Sequence, residues 1–169
     1  MKQLLIVWHS RTGAARQMAE AAARGASAAA AQLEQADELR VVLHRAADVE
    51  ADALLASQGY LFCAPENLAS LSGEMKEFFD RNYYAVLDRI QGLPYACAIS
   101  AGSDGTGAAR QLERICTGWR LKAVAPALIV NLGAQTGEQI WAEKVVPQAD
   151  LDRCEELGGL LAATVLMGG

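Results

Sequence analysis

Short apolar runs alternate with longer amphipathic or alanine-rich stretches along the whole chain. The runs at residues 4–8, 39–43, 59–63, 95–100 and 126–132 are rich in β-branched or aromatic side chains and too brief for helices, so they predict strands. The stretches 14–31, 49–57, 73–90, 107–117 and 150–167 predict helices. Ser72 and Asp150 are cap candidates for the third and last of these, and Gly92-Leu93-Pro94 marks the turn into the fourth strand. The first run, Leu4-Leu5-Ile6-Val7-Trp8, is apolar at every position, as a strand buried on both faces requires. The expected fold class is therefore α/β, a three-layer, doubly wound, five-stranded parallel sheet with right-handed crossovers. No repeat, linker or low-complexity break divides the 169 residues, so one domain is expected.

Sheets of this kind bind ligands outside the carboxyl ends of their strands, which directs attention to the loops after strands one, three and four. Composition narrows the ligand class. With 52% hydrophobic and 21% charged residues the chain is globular, and its formal charge of -5 argues against a nucleic-acid face. Cys63, Cys97, Cys116 and Cys154 form no CxxC pair and fit no zinc or disulfide spacing. They read as reduced structural thiols of a cytoplasmic protein. The apolar start is too short for a signal peptide, and no stretch is long enough to span a bilayer.

The first loop runs Ser10-Arg11-Thr12-Gly13-Ala14-Ala15 between a buried strand and a helix. Small residues let the backbone N–H groups turn inward, the helix directs its positive end at the same spot, and Ser10 and Thr12 add hydroxyl donors. That is a cradle for a phosphate monoester, although a simple helix cap produces the same pattern. It is neither GxGxxG nor GxxxxGK[ST], and it has no P-loop lysine. The stretch resembles the phosphate-binding loop of the flavodoxin-like family, in which two hydroxyl residues and a glycine follow the first strand. The resemblance implies strand order 2-1-3-4-5 with FMN at the ends of the first and third strands. The family usually carries a Thr or Asn where this chain has Ala15, so one side-chain donor to the phosphate is lost.

After the third strand come Ala64-Pro65-Glu66-Asn67-Leu68 and then Gly73-Glu74-Met75-Lys76-Glu77-Phe78-Phe79-Asp80-Arg81. This resembles the NAD(P)H-dependent FMN and quinone reductases of the superfamily, the tryptophan-repressor-binding-protein type among them. The resemblance implies that the backbone of Pro65, Glu66, Asn67 and Leu68 meets the edge of the flavin ring. A strand stop at Pro65 and an Asx turn at Asn67 would give the same residues a purely local role. Met75, Phe78 and Phe79 have helical spacing and read as core. The fourth strand ends in Ser100-Ala101-Gly102-Ser103-Asp104-Gly105, which lets a planar ring approach the backbone. In the family this loop flanks the isoalloxazine. Neither ring loop carries an aromatic residue, so one face of the ring is left open.

The resemblance as a whole implies an FMN-dependent oxidoreductase with NAD(P)H as co-substrate and a quinone or similar small molecule as electron acceptor. It also implies a homodimer or homotetramer, while the net charge and the short apolar runs imply no nucleic-acid or membrane partner. Two other readings stay open here: a flavodoxin-type electron carrier, and a flavodoxin-like module that has lost FMN, which Ala15 favours. No catalytic acid or base is named, because the only histidines are His9 and His44 and no Ser/His/Asp set can be assembled from the sequence. His9 reads as a structural loop residue and Trp119 as packing at a helix end. The connection at residues 133–148 is long enough to be a lid or a subunit contact, and the sequence does not choose.

Overall fold

The structure, a computed structural model, describes residues 1–168. In chain order the elements are β1 (Lys2–Trp8), α1 (Ala14–Gln32), β2 (Leu39–Arg45), α2 (Ala51–Leu55), β3 (Gly59–Asn67), β4 (Ser70–Leu71) and α3 (Gly73–Val86). They continue with β5 (Pro94–Ala101), α4 (Thr106–Gly118), β6 (Lys122–Ala123), β7 (Leu128–Asn131), α5 (Gly137–Trp141) and α6 (Gln148–Leu166). The parallel sheet runs β2-β1-β3-β5, and its outer position beyond β5 is shared by β6 and β7. With those two short segments counted as one position, this is the 2-1-3-4-5 order of the flavodoxin-like fold. The ladder is interrupted between Ala123 and Leu128, where Pro126 has no N–H to contribute.

Side-chain alternation in the central strands divides the core into two layers. Leu4, Ile6, Leu61 and Cys63 pack toward the alanine stripe of α1 and the inner face of α6. Leu5, Val7, Tyr60 and Phe62 pack toward α3 and α4. There Phe62 meets Phe79 at 4.8 Å between ring centroids, and Phe79 meets Trp119 at 5.0 Å. Met75, Phe78, Phe79 and Trp119 are thus core, as expected from their spacing. All four cysteines are buried and free. Burial pushes the Cys97 and Cys154 thiols up to about 12, which keeps them protonated and unreactive. Among the described residues, no helix is long and apolar enough to cross a membrane.

Several boundaries differ from expectation for local reasons. The second helix is only Ala51–Leu55, because Val49 and Glu50 are extended and Ala56 ends it. The third ends at Val86 rather than 90, since Leu87 turns extended and Asp88 takes a positive φ of 60°. The last starts behind Pro147, so Asp150 lies in its first turn and accepts from Arg153 instead of capping it. α5, closed by a Thr136–Gln139 capping box, stands in the long connection that carried no helical prediction.

Candidate functional site

The three loops singled out in the sequence meet at the carboxyl edge of β1, β3 and β5. In the first, the His9 amide extends the β1–β3 ladder by donating to the Cys63 carbonyl at 3.0 Å. The chain then turns through Gly13, whose φ of 93° favours glycine, into α1. Ser10 Oγ accepts the Gly13 N–H at 3.0 Å, which holds the loop folded and leaves the hydroxyl proton free to donate. The amides of Ala14, Ala15 and Arg16 open a 19-residue helix with no acidic residue in its first turn. Amide donors, two hydroxyls and a positive helix end suit a phosphate monoester such as that of FMN. Ala14 and Ala15 are buried, so at position 15 only an amide remains to serve a ligand.

The second loop is a tight hairpin. β3 passes through Pro65, which sits in register with Ser100, and continues to Asn67, so the proline does not stop the strand. β4 folds back on it with Glu66 opposite Leu71 and Asn67 opposite Ser70. The turn residues Leu68 and Ala69 have φ of 53° and 60°, a conformation that costs an ordinary side chain about 1–2 kcal/mol each. Two latches onto α4 hold it. The Glu66 carboxylate accepts from the Gly105 and Ala108 amides at 2.9 and 3.0 Å. Gln111 Oε1 accepts from Ser70 Oγ at 2.8 Å and from the Leu71 amide at 2.7 Å. Leu68 is left fully exposed at the tip.

The third loop leaves β5 at Ser100 and Ala101, both buried, and passes Gly102 and Ser103 to Gly105, where φ is 95°. A Cβ on Gly105 would lie 2.6 Å from Ile129 Cγ2, and one on Gly102 would lie 2.9 Å from the Ala134 carbonyl. Each of these residues therefore sits where only glycine fits. Residues 133–147 supply a fourth wall that the sequence left undecided. Gln17 fastens it, with Nε2 donating to the carbonyls of Gly13 and Lys144 at 3.1 and 2.7 Å and Oε1 accepting the Val146 amide at 3.0 Å. The Lys144 amide also donates to the Thr12 carbonyl at 2.8 Å. This wall brings the exposed Glu143 against the cradle, its Oε1 3.9 Å from where a Cβ of Gly13 would stand.

Behind the cradle lies a Ser/His/Glu set that the sequence did not reveal. His9 Nδ1 and Ser72 Oγ are 2.8 Å apart, and His9 Nε2 lies 3.4 Å from Glu74 Oε2. Arg45 faces the other Glu74 oxygen at 3.8 Å. Because an ionised Glu74 only accepts, Nε2 carries the proton, and Nδ1 accepts the Ser72 hydroxyl. Ser72 Oγ is thus turned to the histidine and does not cap α3, contrary to expectation. Ser72 is fully buried, so it is no nucleophile. The set braces the end of β1 against the start of α3. Burial lowers the His9 pKa, partly offset by Glu74, with Arg11 and Arg45 lowering it further. The folded protein therefore binds this proton less readily than the unfolded chain. Stability from His9 is fully present above about pH 6.5 and falls as pH drops below that value toward the depressed folded pKa. His9→Gln is expected to flatten that slope of urea-unfolding free energy below about pH 6.5.

The sequence model of the NADPH-dependent FMN reductase family matches residues 8–136, from the end of β1 to the cap of α5. The chain belongs to that family. It is an FMN-binding, flavodoxin-like oxidoreductase by descent, and the Ser10–Ala15 loop and the loops after β3 and β5 fall inside the matched span. No curated protein matches. Among solved structures, an oxidoreductase from Corynebacterium diphtheriae superposes with a TM-score of 0.77 at 21% identity, over 100% of this chain and 99% of that one. A flavodoxin from the domain Archaea gives 0.76 at 19% identity, over 97% and 99%. A WrbA-like flavodoxin from Agrobacterium tumefaciens gives 0.74 at 17% identity, over 100% of both chains. At these identities the likeness is one of fold.

Proposed function

We propose that this family member uses NAD(P)H to reduce a quinone or a similar small acceptor through FMN seated at the carboxyl edge of the sheet. The observation that carries the reading is the convergence of a phosphate cradle and two backbone-lined ring loops on one edge, with Pro65 of one loop in register with Ser100 of the other. When bound, FMN supplies the hydride and electron chemistry. In this reading Ser10, Thr12 and the amides of Arg11, Ala14 and Ala15 hold the phosphate, and Gly13 makes the turn that brings them together. Pro65, Glu66, Asn67 and Leu68 line one edge of the ring through their backbone, and Ser100, Ala101, Gly102, Ser103 and Gly105 line the other. Neither ring loop carries an aromatic side chain, which leaves a ring face for nicotinamide and acceptor in turn. Buried free thiols suit a reducing, cytoplasmic setting. A homodimer or homotetramer would complete the open side of the site.

NAD(P)H oxidation by the FMN-loaded protein, followed with and without benzoquinone, tests this reading. Quinone-dependent turnover with either nicotinamide supports it; a reduced flavin that nicotinamides never generate points to an electron carrier instead. Glu143 bears on the binding step, because its carboxylate opposes a phosphate dianion at the cradle. Glu143→Gln is expected to tighten FMN binding about threefold at low salt, and the gain should shrink by 1 M salt, on the order of the screening expected for exposed charges. Fluorescence titration of both proteins at two ionic strengths checks it.

A further inference from the structure

The Glu66 carboxylate bridges the hairpin loop and the α4 loop, accepting from Gly105 N and Ala108 N at 2.9 and 3.0 Å. Those donors belong to the cap position and third residue of α4, so an acid from another segment does the work of a helix cap. No residue of the α4 loop could do this at position 105, because a Cβ there would strike Ile129. Gln111 adds a second, uncharged latch between the same two elements. Glu66 is therefore the charged group that makes one rigid jaw of the two loops assigned to the flavin ring.

We propose that Glu66 is a positioning residue that locks this jaw and biases the site toward oxidised flavin. This rests on the FMN reading above. Two-electron reduction of bound FMN with uptake of one proton would leave the ring anionic near neutral pH, so a carboxylate in the loop assigned to the ring edge would disfavour the reduced form. A site of this kind passes electrons on readily, since the reduced cofactor is the less stabilised state. A glutamine at this position accepts one amide hydrogen bond through its oxygen, presents an NH2 to the other amide, and removes the charge.

The test compares wild type, Glu66→Gln and Gln111→Ala by two measurements. Amide hydrogen exchange on the flavin-free proteins reads the jaw alone. Glu66→Gln should speed exchange together at residues 66–71 and 105–108, while circular dichroism stays native. Titration with oxidised FMN, and anaerobically with chemically reduced FMN, reads the bias. Glu66→Gln should raise the ratio of reduced to oxidised affinity by about tenfold, whereas Gln111→Ala loosens the hairpin and leaves that ratio unchanged. Wild type that binds FMN with the same ratio in Glu66→Gln overturns the proposal while the FMN reading stands. Equal shifts in both variants overturn it too, because a merely structural latch would then explain them. Wild type that binds no FMN overturns the FMN reading and the flavin bias with it, and the exchange data then show a cap and nothing more.

Discussion

Gly107→Val is expected to lower FMN affinity at least about a hundredfold, the equivalent of two or three hydrogen bonds. The second residue of α4 lies directly under the hairpin, where a Cβ would come within 2.2 Å of the Ala69 carbonyl oxygen and 3.0 Å of its carbon. Both are backbone atoms of a turn already held in a left-handed conformation, so no side chain can swing aside. The hairpin must lift, which breaks the Glu66 and Gln111 latches and moves the backbone assigned to the ring edge. The helix itself tolerates valine at about 0.5 kcal/mol. Circular dichroism should therefore remain native while fluorescence titration shows the loss. Affinity equal to wild type would mean that the hairpin does not touch the cofactor.

Gly158→Val is expected to destabilise the fold by more than about 3 kcal/mol. α1 and α6 cross so closely that a Cβ on Gly158 would lie 2.0 Å from the Ala22 carbonyl, and one on Gly25 would lie 1.9 Å from the Glu155 carbonyl. Separating two helix backbones opens the whole layer that Leu4, Ile6 and Leu61 close from the sheet side. It also moves the helix whose first turn is assigned to the phosphate in the proposed reading. Gly118→Ala is the matched control, since nothing lies within 4 Å of the added atom. Urea unfolding of the two variants should separate them clearly; near-equal midpoints would contradict the contact.

Much of this was legible in the sequence because the controlling interactions are local. Unbroken apolarity marks Leu4–Val7 as a doubly buried strand, and the Ser10–Gly13 turn announces a helix start facing a strand end. The family match over residues 8–136 bears out the FMN-oxidoreductase class. The resemblance of Pro65–Arg81 drew attention to this loop but did not give its shape. Nothing in Leu68-Ala69 advertises a left-handed turn, because neither is Gly or Asn; the hairpin is pinned where its Glu66 and Leu71 bond to Gly105 and Gln111, 39 and 40 residues away in sequence. The His9–Ser72–Glu74 brace and the Gln17 clamp on residues 144–146 are likewise contacts at long separation. Their members look like an ordinary loop histidine, a helix cap and a surface glutamine until the sheet order brings them together.

The cradle from Ser10 to Ala15 is expected to bind FMN although position 15 offers no hydroxyl. The most direct measurement is a titration of flavin-free protein with FMN by fluorescence quenching, repeated with riboflavin. Saturable one-to-one quenching by FMN at micromolar concentration or below, with riboflavin at least about tenfold weaker, is the result expected of a site that holds the phosphate. Quenching that fails to saturate, or equal binding of both flavins, would mean that backbone amides and two hydroxyls do not make a phosphate site here.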